Sequence, residues 1–375
     1  PVHYAHFTKT FTALCPLTAL GLLAMSFYHG VMIRDIPFIT EVGTYCIVMS
    51  YKLLILSCTK LNVEDYHQLQ RVMKDDFLYA CTKGEKYRKK FFYNQIQTRK
   101  VCNLAMIFTG GIGVGMIAFA VSCLLYYLAT HNPGEGKRPL LFPFWAFDVD
   151  FGLTPTYEIA FMFSSLCVAA YAFNYIFMIV TEIMWISEIA TKADIIIWCL
   201  QDLMIGIHPT NVKTEREYFD SLLKHRLKEI VEHHNSMNML MEHFARVYKK
   251  LLMFEQKISA PVVCLSAYSA TKMDSGEFNA ILLLLCIGAI TLLFIPSYMA
   301  TFVSDKISSI CYTCWDIPFW KAGPVIRPYL VLIMQRSLRS LPLKAPGFEE
   351  VSVQTFSNKM ASAYSMFNML RQANI

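Results

Sequence analysis

Residues 345–375 read APGFEEVSVQTFSNKMASAYSMFNMLRQANI. Pro346 and Gly347 end any helix that precedes them and allow a tight reversal, so a new helix can run from Phe348 towards Ile375. Ser352, Thr355, Ser357, Asn358, Ser362, Ser365, Asn368 and Gln372 alternate along it with Val, Phe, Met and Tyr. Hydrocarbon cannot surround so many polar groups cheaply, and at membrane depth they belong against protein or water. Asn358, Ser362, Ser365, Met369 and Gln372 recur every three or four residues and share one helical stripe. Two readings fit that stripe: a packed helix whose hydroxyls bond to its neighbours, or the wall of a pore.

Just upstream, Ile326, Tyr329, Leu330, Ile333 and Met334 form an apolar face beside Arg327, Arg336 and Arg339, while Pro318, Pro324 and Pro328 make the start of this stretch irregular. A helix of this kind lies outside the bilayer and needs a partner. Trp315, Tyr329, Ile333 and Met334 are therefore expected to contact a neighbouring subunit. The chain divides into a membrane bundle with helical extensions (1–310), a contact helix (311–344) and a final span (345–375) that is the candidate pore lining.

With 55% hydrophobic and only 17% charged residues among 375, the sequence reads as a polytopic membrane protein. Seven apolar stretches, at 12–33, 38–58, 101–129, 156–183, 251–272, 278–302 and 349–371, each approach the roughly 20 residues that cross hydrocarbon. The basic residues of the +6 net charge gather in the segments 60–100 and 188–250, which are expected to be cytoplasmic. That leaves the N-terminus inside and the C-terminus outside. Confinement of the charge to these loops argues against nucleic acid as a partner. At helical spacing, Leu222, Leu223, Leu227, Ile230, Val231, Met237, Leu240 and Met241 predict that spans four and five continue as helices below the bilayer.

No P-loop, dinucleotide fingerprint, hydrolase elbow or HExxH occurs, so the sequence gives no ground for an enzyme or a cofactor. Cys311 and Cys314 form a CxxC without a second ligand pair at zinc-finger spacing and are read as packing residues. His225, His233, His234 and His243 fall in one charged helical region, where a solvated face is expected rather than a metal. Lys52 in span two is placed to snorkel inward. Tyr45, Met49, Phe119, Ser122, Tyr126, Phe161, Ser165, Tyr268 and Leu284, from the outer halves of spans two to six, are candidates to converge on an apolar cavity with a few hydroxyls. Such a cavity suits a small volatile molecule. The glycines from Gly110 to Gly115 leave space for tight packing or for a bend that accommodates a ligand.

The run Ser308 to Trp315, the stretch Arg336 to Phe348 ending Leu-Pro-Leu-Lys-Ala-Pro-Gly-Phe, then Thr355-Phe356 and Ala363-Tyr364-Ser365-Met366-Phe367-Asn368-Met369-Leu370, resemble in order and spacing the C-terminal signature of insect odorant receptors. Arg138 to Asp148 resembles the loop before that family's fourth span. The resemblance implies an all-α, seven-span subunit, four of which surround a central cation pore, joined below the membrane by a helical anchor. It also implies a plasma-membrane receptor of olfactory neurons that assembles with a common co-receptor. This chain looks like the odour-recognising partner, because the region between spans four and five lacks the co-receptor's long insertion. Carried onto this sequence, the hydrophobic gate falls at Met369 and the next inward position at Ala373, with Ser365, Asn368 and Gln372 beside them. A gustatory-receptor channel is the nearest alternative, but the ending expected there is missing. A G-protein-coupled receptor would need the opposite topology, and a solute carrier would show an internal repeat.

Overall fold

The computed structural model describes residues 2–131, 138–147, 149–206, 213–271, 280–322, 325–338 and 350–373, and these form ten helices and no strand. They are α1 (Val2–Ile33), α2 (Ile36–Leu61), α3 (Val63–Thr82), α4 (Glu85–Thr130), α5 (Thr156–Gln201), α6 (Lys213–Thr271), α7 (Ala280–Asp316), α8 (Phe319–Ala322), α9 (Arg327–Ser337) and α10 (Val353–Ala373). The break predicted at Lys344 to Phe348 lies outside the described residues, as does Asp148.

Local chemistry sets the first reversal. Arg34 adopts φ 57°, Asp35 caps α2 by accepting from the Phe38 backbone N–H at 3.1 Å, and Pro37 sits in the first turn, where its missing donor costs nothing. Gly30 permits the hairpin to close, since a Cβ there would lie 2.8 Å from the Phe38 ring. Helices α1 and α2 then pack along one another.

Among the described residues, five helices are long and apolar enough to cross a membrane: the Leu14–Ile33 part of α1, α2, α4, α5 and α7. Two of the predicted spans, in the second half of α6 and in α10, are not in that group. Their polarity explains why, for α6 carries Glu255, Gln256, Lys257 and Ser259 where its span begins, and α10 carries the stripe described above. At 46 residues each, α4 and α5 are roughly 70 Å long, more than twice the roughly 30 Å of a hydrocarbon core. They are therefore long enough to project well past a bilayer, and α6, with 59 residues, is longer still. Pro261 and Pro296 are accommodated without ending α6 or α7.

Two sets of buried side chains divide the bundle. One, around Val42, Tyr45, Met49, Met116, Phe142 and Cys167, joins α1, α2, α4 and α5 at one end. The larger one, around Trp185, Ile196, Leu223, Phe244, Tyr248 and Ile310, joins the helical extensions. Helix α3 belongs to this second core through Leu69 and Ala80 and through an ion pair of Asp76 with Lys192 at 2.8 Å, both nearly inaccessible to solvent. Sequence periodicity did not single out α3, because its pattern is mostly polar and its anchor is a buried charge pair.

Three expectations change. Ile326, Leu330 and Ile333 are buried inside the chain, with Tyr329 and Met334 against the same core, because α9 folds back onto α7 and α6. The face assigned to a neighbouring subunit is thus used internally by Tyr329, Ile333 and Met334. Trp315 instead remains 66% exposed, and other large apolar side chains point outward nearby: Tyr312, Trp320, Val331 and Leu332. The histidines are not a solvated face, since His234 is buried between Ser337 and Asn238, His243 lies 2.6 Å from Asp65, and His233 packs edge-on against Tyr79. Only His225 is exposed. Lys52 does not snorkel: it is fully buried, and its Nζ has no hydrogen-bond partner among the described residues. Cys314 packs in the core and Cys311 is half-buried, both as free thiols.

Candidate functional site

A cavity of ≈ 100 Å³ lies inside the membrane part of the bundle. Helix α2 contributes Tyr45, Val48, Met49 and Tyr51, and α5 contributes Val168, Tyr171, Ala172 and Tyr175. Both sets follow the three- and four-residue spacing that keeps side chains on one face. The rest of the wall comes from α4 (among them Thr109, Gly113 and Met116), α6 (Ile258, Ser259, Val262) and α7 (among them Gly288 and Ala289). Gly113 has a steric reason, since a Cβ there would stand 2.9 Å from the Ala172 Cβ. Tight approach of α4 to α5 is thus the use the structure makes of that glycine.

Of the nine residues nominated from sequence, Tyr45 and Met49 line this cavity and the other seven do not. Ser122 and Tyr126 face outward, Phe119, Phe161, Ser165 and Leu284 are half-buried, and Tyr268 is buried. On α5 the nominated positions share the right stripe but sit about two turns, roughly 11 Å, too near the N-terminal end of the helix, and on α4 Ser122 and Tyr126 lie on the exposed face. The reason is a plug. Residues 138–147 fold over the end of the cavity beside Tyr45, where Phe142 is 1% exposed and packs 4.9 Å from the Tyr45 ring. Phe144 fills the adjacent space against Phe151 and Phe163. The plug is held by stacking of His29 on Trp145 at 4.0 Å and by donation from the Trp145 backbone N–H to Ser26 Oγ at 2.7 Å. Nothing in helical periodicity announces that a loop will occupy the volume, so the deeper residues Thr109, Tyr171, Tyr175 and Ser259 were missed.

Below the cavity, Tyr51 donates its phenolic proton to the Glu255 carboxylate of α6. Helix α10 rests on α6 and α7. Ser352 caps it, accepting from the Thr355 backbone N–H at 3.2 Å, and Thr301 of α7 accepts from the Val353 N–H at 3.1 Å. Thr355 and Ala363 are buried, and Phe356 meets Phe294 edge-on. The opposite face is uncovered. Asn358, Ser362, Ser365, Met369 and Gln372 are all exposed, Asn368 is half-buried, and the Ala373 side chain lies outside those described. Among the described residues, no group of three or more His, Cys, Asp or Glu side chains is arranged to hold a metal ion.

Comparison with known proteins was made with this geometry in hand. A family model described as 7tm Odorant receptor matches residues 37–364. Odorant receptor 22c of Drosophila melanogaster is 20% identical over 249 residues, which cover 66% of this chain and 60% of that protein's length. The insect olfactory receptor OR5 from Machilis hrabei superimposes with a TM-score of 0.72 at 14% identity, over 97% of this chain and 88% of that one. Its structure in complex with eugenol gives 0.77 at 13% identity with the same coverage. Identities this low speak for a shared fold. The match over most of the chain carries the family: this protein belongs to the 7tm odorant receptor family and is a membrane receptor rather than an enzyme.

Proposed function

We propose that the chain is the odour-recognising subunit of a ligand-gated, non-selective cation channel in the plasma membrane, assembled with a co-receptor subunit into a tetramer. A small volatile molecule enters the cavity among α2, α4, α5, α6 and α7, and the channel opens along a path to which α10 contributes. The supporting observation is the cavity itself, lined mainly by aromatic and aliphatic side chains and joined through Tyr51 and Glu255 to α6, the helix on which α10 rests. An engineered cavity of about 150 Å³ takes up benzene. The present ≈ 100 Å³ is therefore within modest side-chain adjustment of a small odorant. Machilis hrabei OR5 has been solved in complex with eugenol.

In this reading the seven crossings are α1, α2, α4, α5, α6, α7 and α10, with the basic segments 60–100 and 188–250 in the cytoplasm. The uncovered stripe from Asn358 to Gln372 faces partner subunits and the ion path, and Met369 supplies an apolar constriction of the kind that blocks ions by dewetting. The test is to express the chain alone, the co-receptor alone and both together, and to record current evoked by a panel of volatiles. New ligand sensitivity in the pair, present without second-messenger supply, is expected. A response that vanishes when G-protein signalling is blocked would contradict the channel reading.

A further inference from the structure

The hydroxyls of the membrane helices follow a rule with an informative exception. Thr44, Ser50, Thr181, Ser266 and Thr291 each donate to a backbone carbonyl three or four residues earlier in their own helix. This is how a serine or threonine satisfies itself where no water is available. Ser259 does not. Its Oγ is buried, with the residue 1% exposed, and has no hydrogen-bond partner among the described residues. Ser165 and Ser297 share that condition, but of the three only Ser259 borders the cavity.

A buried polar atom left without a partner is costly, and a functional site is one place where the cost is met by a ligand. The surroundings narrow what that ligand is. The wall is apolar on α6 itself, through Ile258 and Val262, and on α7 through Leu285 and Ala289. A charged group placed there would be desolvated with no opposite charge among the residues lining the cavity. Resting on the cavity as the ligand site, we infer that Ser259 is its polar anchor, donating one hydrogen bond to an acceptor oxygen on an otherwise hydrocarbon molecule. The ligand class is thus a small neutral carbonyl, ester, ether or alcohol. Unlike the serines and threonines that bond back to their own helix, Ser259 gives up no helix bond when it turns to the ligand. It is a specificity-determining residue, contributing discrimination between an oxygenated odorant and the hydrocarbon of the same shape.

The experiment measures concentration–response curves for C6–C8 methyl ketones and the alkanes of matching length, on the chain co-expressed with its co-receptor, with surface biotinylation fixing receptor number. Wild type is expected to respond to ketones at lower concentration than to alkanes. Ser259→Ala should close that gap by about fivefold, the effect of one net hydrogen bond, while moving the alkane curves less than about twofold. Ser259→Cys, with its weak thiol donor, serves the same purpose if the alanine form does not reach the surface. An unchanged gap, an equal shift of both curves, or no response to either class overturns the assignment. The cavity reading is tested apart from it by Ala289→Phe, which fills the space. If this variant leaves both curves unchanged the cavity is not the site, whereas a loss of both responses with an unaltered ketone preference in Ser259→Ala overturns the anchor alone.

Discussion

Tyr51 donates a hydrogen bond to Glu255, so a residue on the cavity wall is tied directly to the helix that carries α10. Both side chains are buried, at 1% and 2% exposure, and a bond of this kind is worth most where water cannot replace it. Tyr51→Phe keeps the ring and its stacking on Phe254 but removes the donor. The expected cost is about 1–3 kcal/mol of stability, because a buried carboxyl loses its partner. Thermal denaturation of the detergent-solubilised receptor checks it. In the pair Tyr51→Phe, Glu255→Gln the two losses should not add, whereas additive losses would show that the residues act separately.

Close approach of α4 to α5 depends on Gly113. Gly113→Ala places a methyl 2.9 Å from the Ala172 Cβ and is expected to cost about 1–3 kcal/mol by overpacking. Ala172→Gly in the same chain should restore most of the lost surface expression. If Gly113→Ala alone expresses and responds as wild type, the helices do not pack as described.

The two faces of α9 have different tasks. Ile333→Asp puts a charge into the core of the subunit, where Ile333 is 3% exposed, and should abolish folding of the subunit itself. Leu332→Glu, at a position 64% exposed, should leave folding intact and weaken association with the co-receptor. Blue-native electrophoresis beside a stability measurement separates the outcomes. Normal complexes from Leu332→Glu would remove this face from the interface.

Acid–base behaviour should be legible in the helical extensions. Burial first, and then the neighbouring Asp76 carboxylate, push the Glu188 carboxyl from 4.5 up to about 8, while Gln95 donates to it at 3.3 Å. A carboxyl raised in the folded state contributes fully below about pH 4.5, and its contribution is lost as pH rises towards about 8. Glu188→Gln should therefore flatten the fall in melting temperature between these limits, gaining most on wild type at pH 8. Parallel profiles for the two proteins would mean that Glu188 is ionised in the fold. His233 and His234 are shifted down by burial, so their charging destabilises at lower pH and does not imitate this trend.

At α10, Met369 is 68% exposed on the same uncovered face as Ser365 and Gln372. Met369→Ser is expected to raise resting current or change cation permeability by easing wetting of a constriction. The comparison is sharpest in a co-receptor carrying the equivalent polar change, with the double variant set against the partner's single one. Unchanged leak and selectivity in both backgrounds would take Met369 out of the ion path.

What could be read from the sequence follows the reach of local pattern. Long apolar runs marked α1, α2, α4, α5 and α7, and the three- and four-residue spacing marked the correct stripe of α5, from Phe161 and Ser165 to Val168 and Ala172. Depth along that stripe was set by Phe142 and Phe144, which are remote in sequence and lie in a loop. The same limit governed α9, where Ile333 looked available for another subunit until α7 and α6 were seen to cover it. Tertiary contact also accounts for Asp76 and Lys192, since no spacing relates residues 116 positions apart.

The most direct measurement is photolabelling with a diazirine-bearing analogue of an activating volatile, followed by mass spectrometry of the receptor expressed with its co-receptor. Labels competed by excess unlabelled agonist should fall on the segments Tyr45–Tyr51 of α2, Val168–Tyr175 of α5 and Ile258–Val262 of α6, which all contribute to the cavity wall. Competed labelling confined to the outer loop at Phe147–Leu153 or to α10, with these three segments unmarked, would contradict the account.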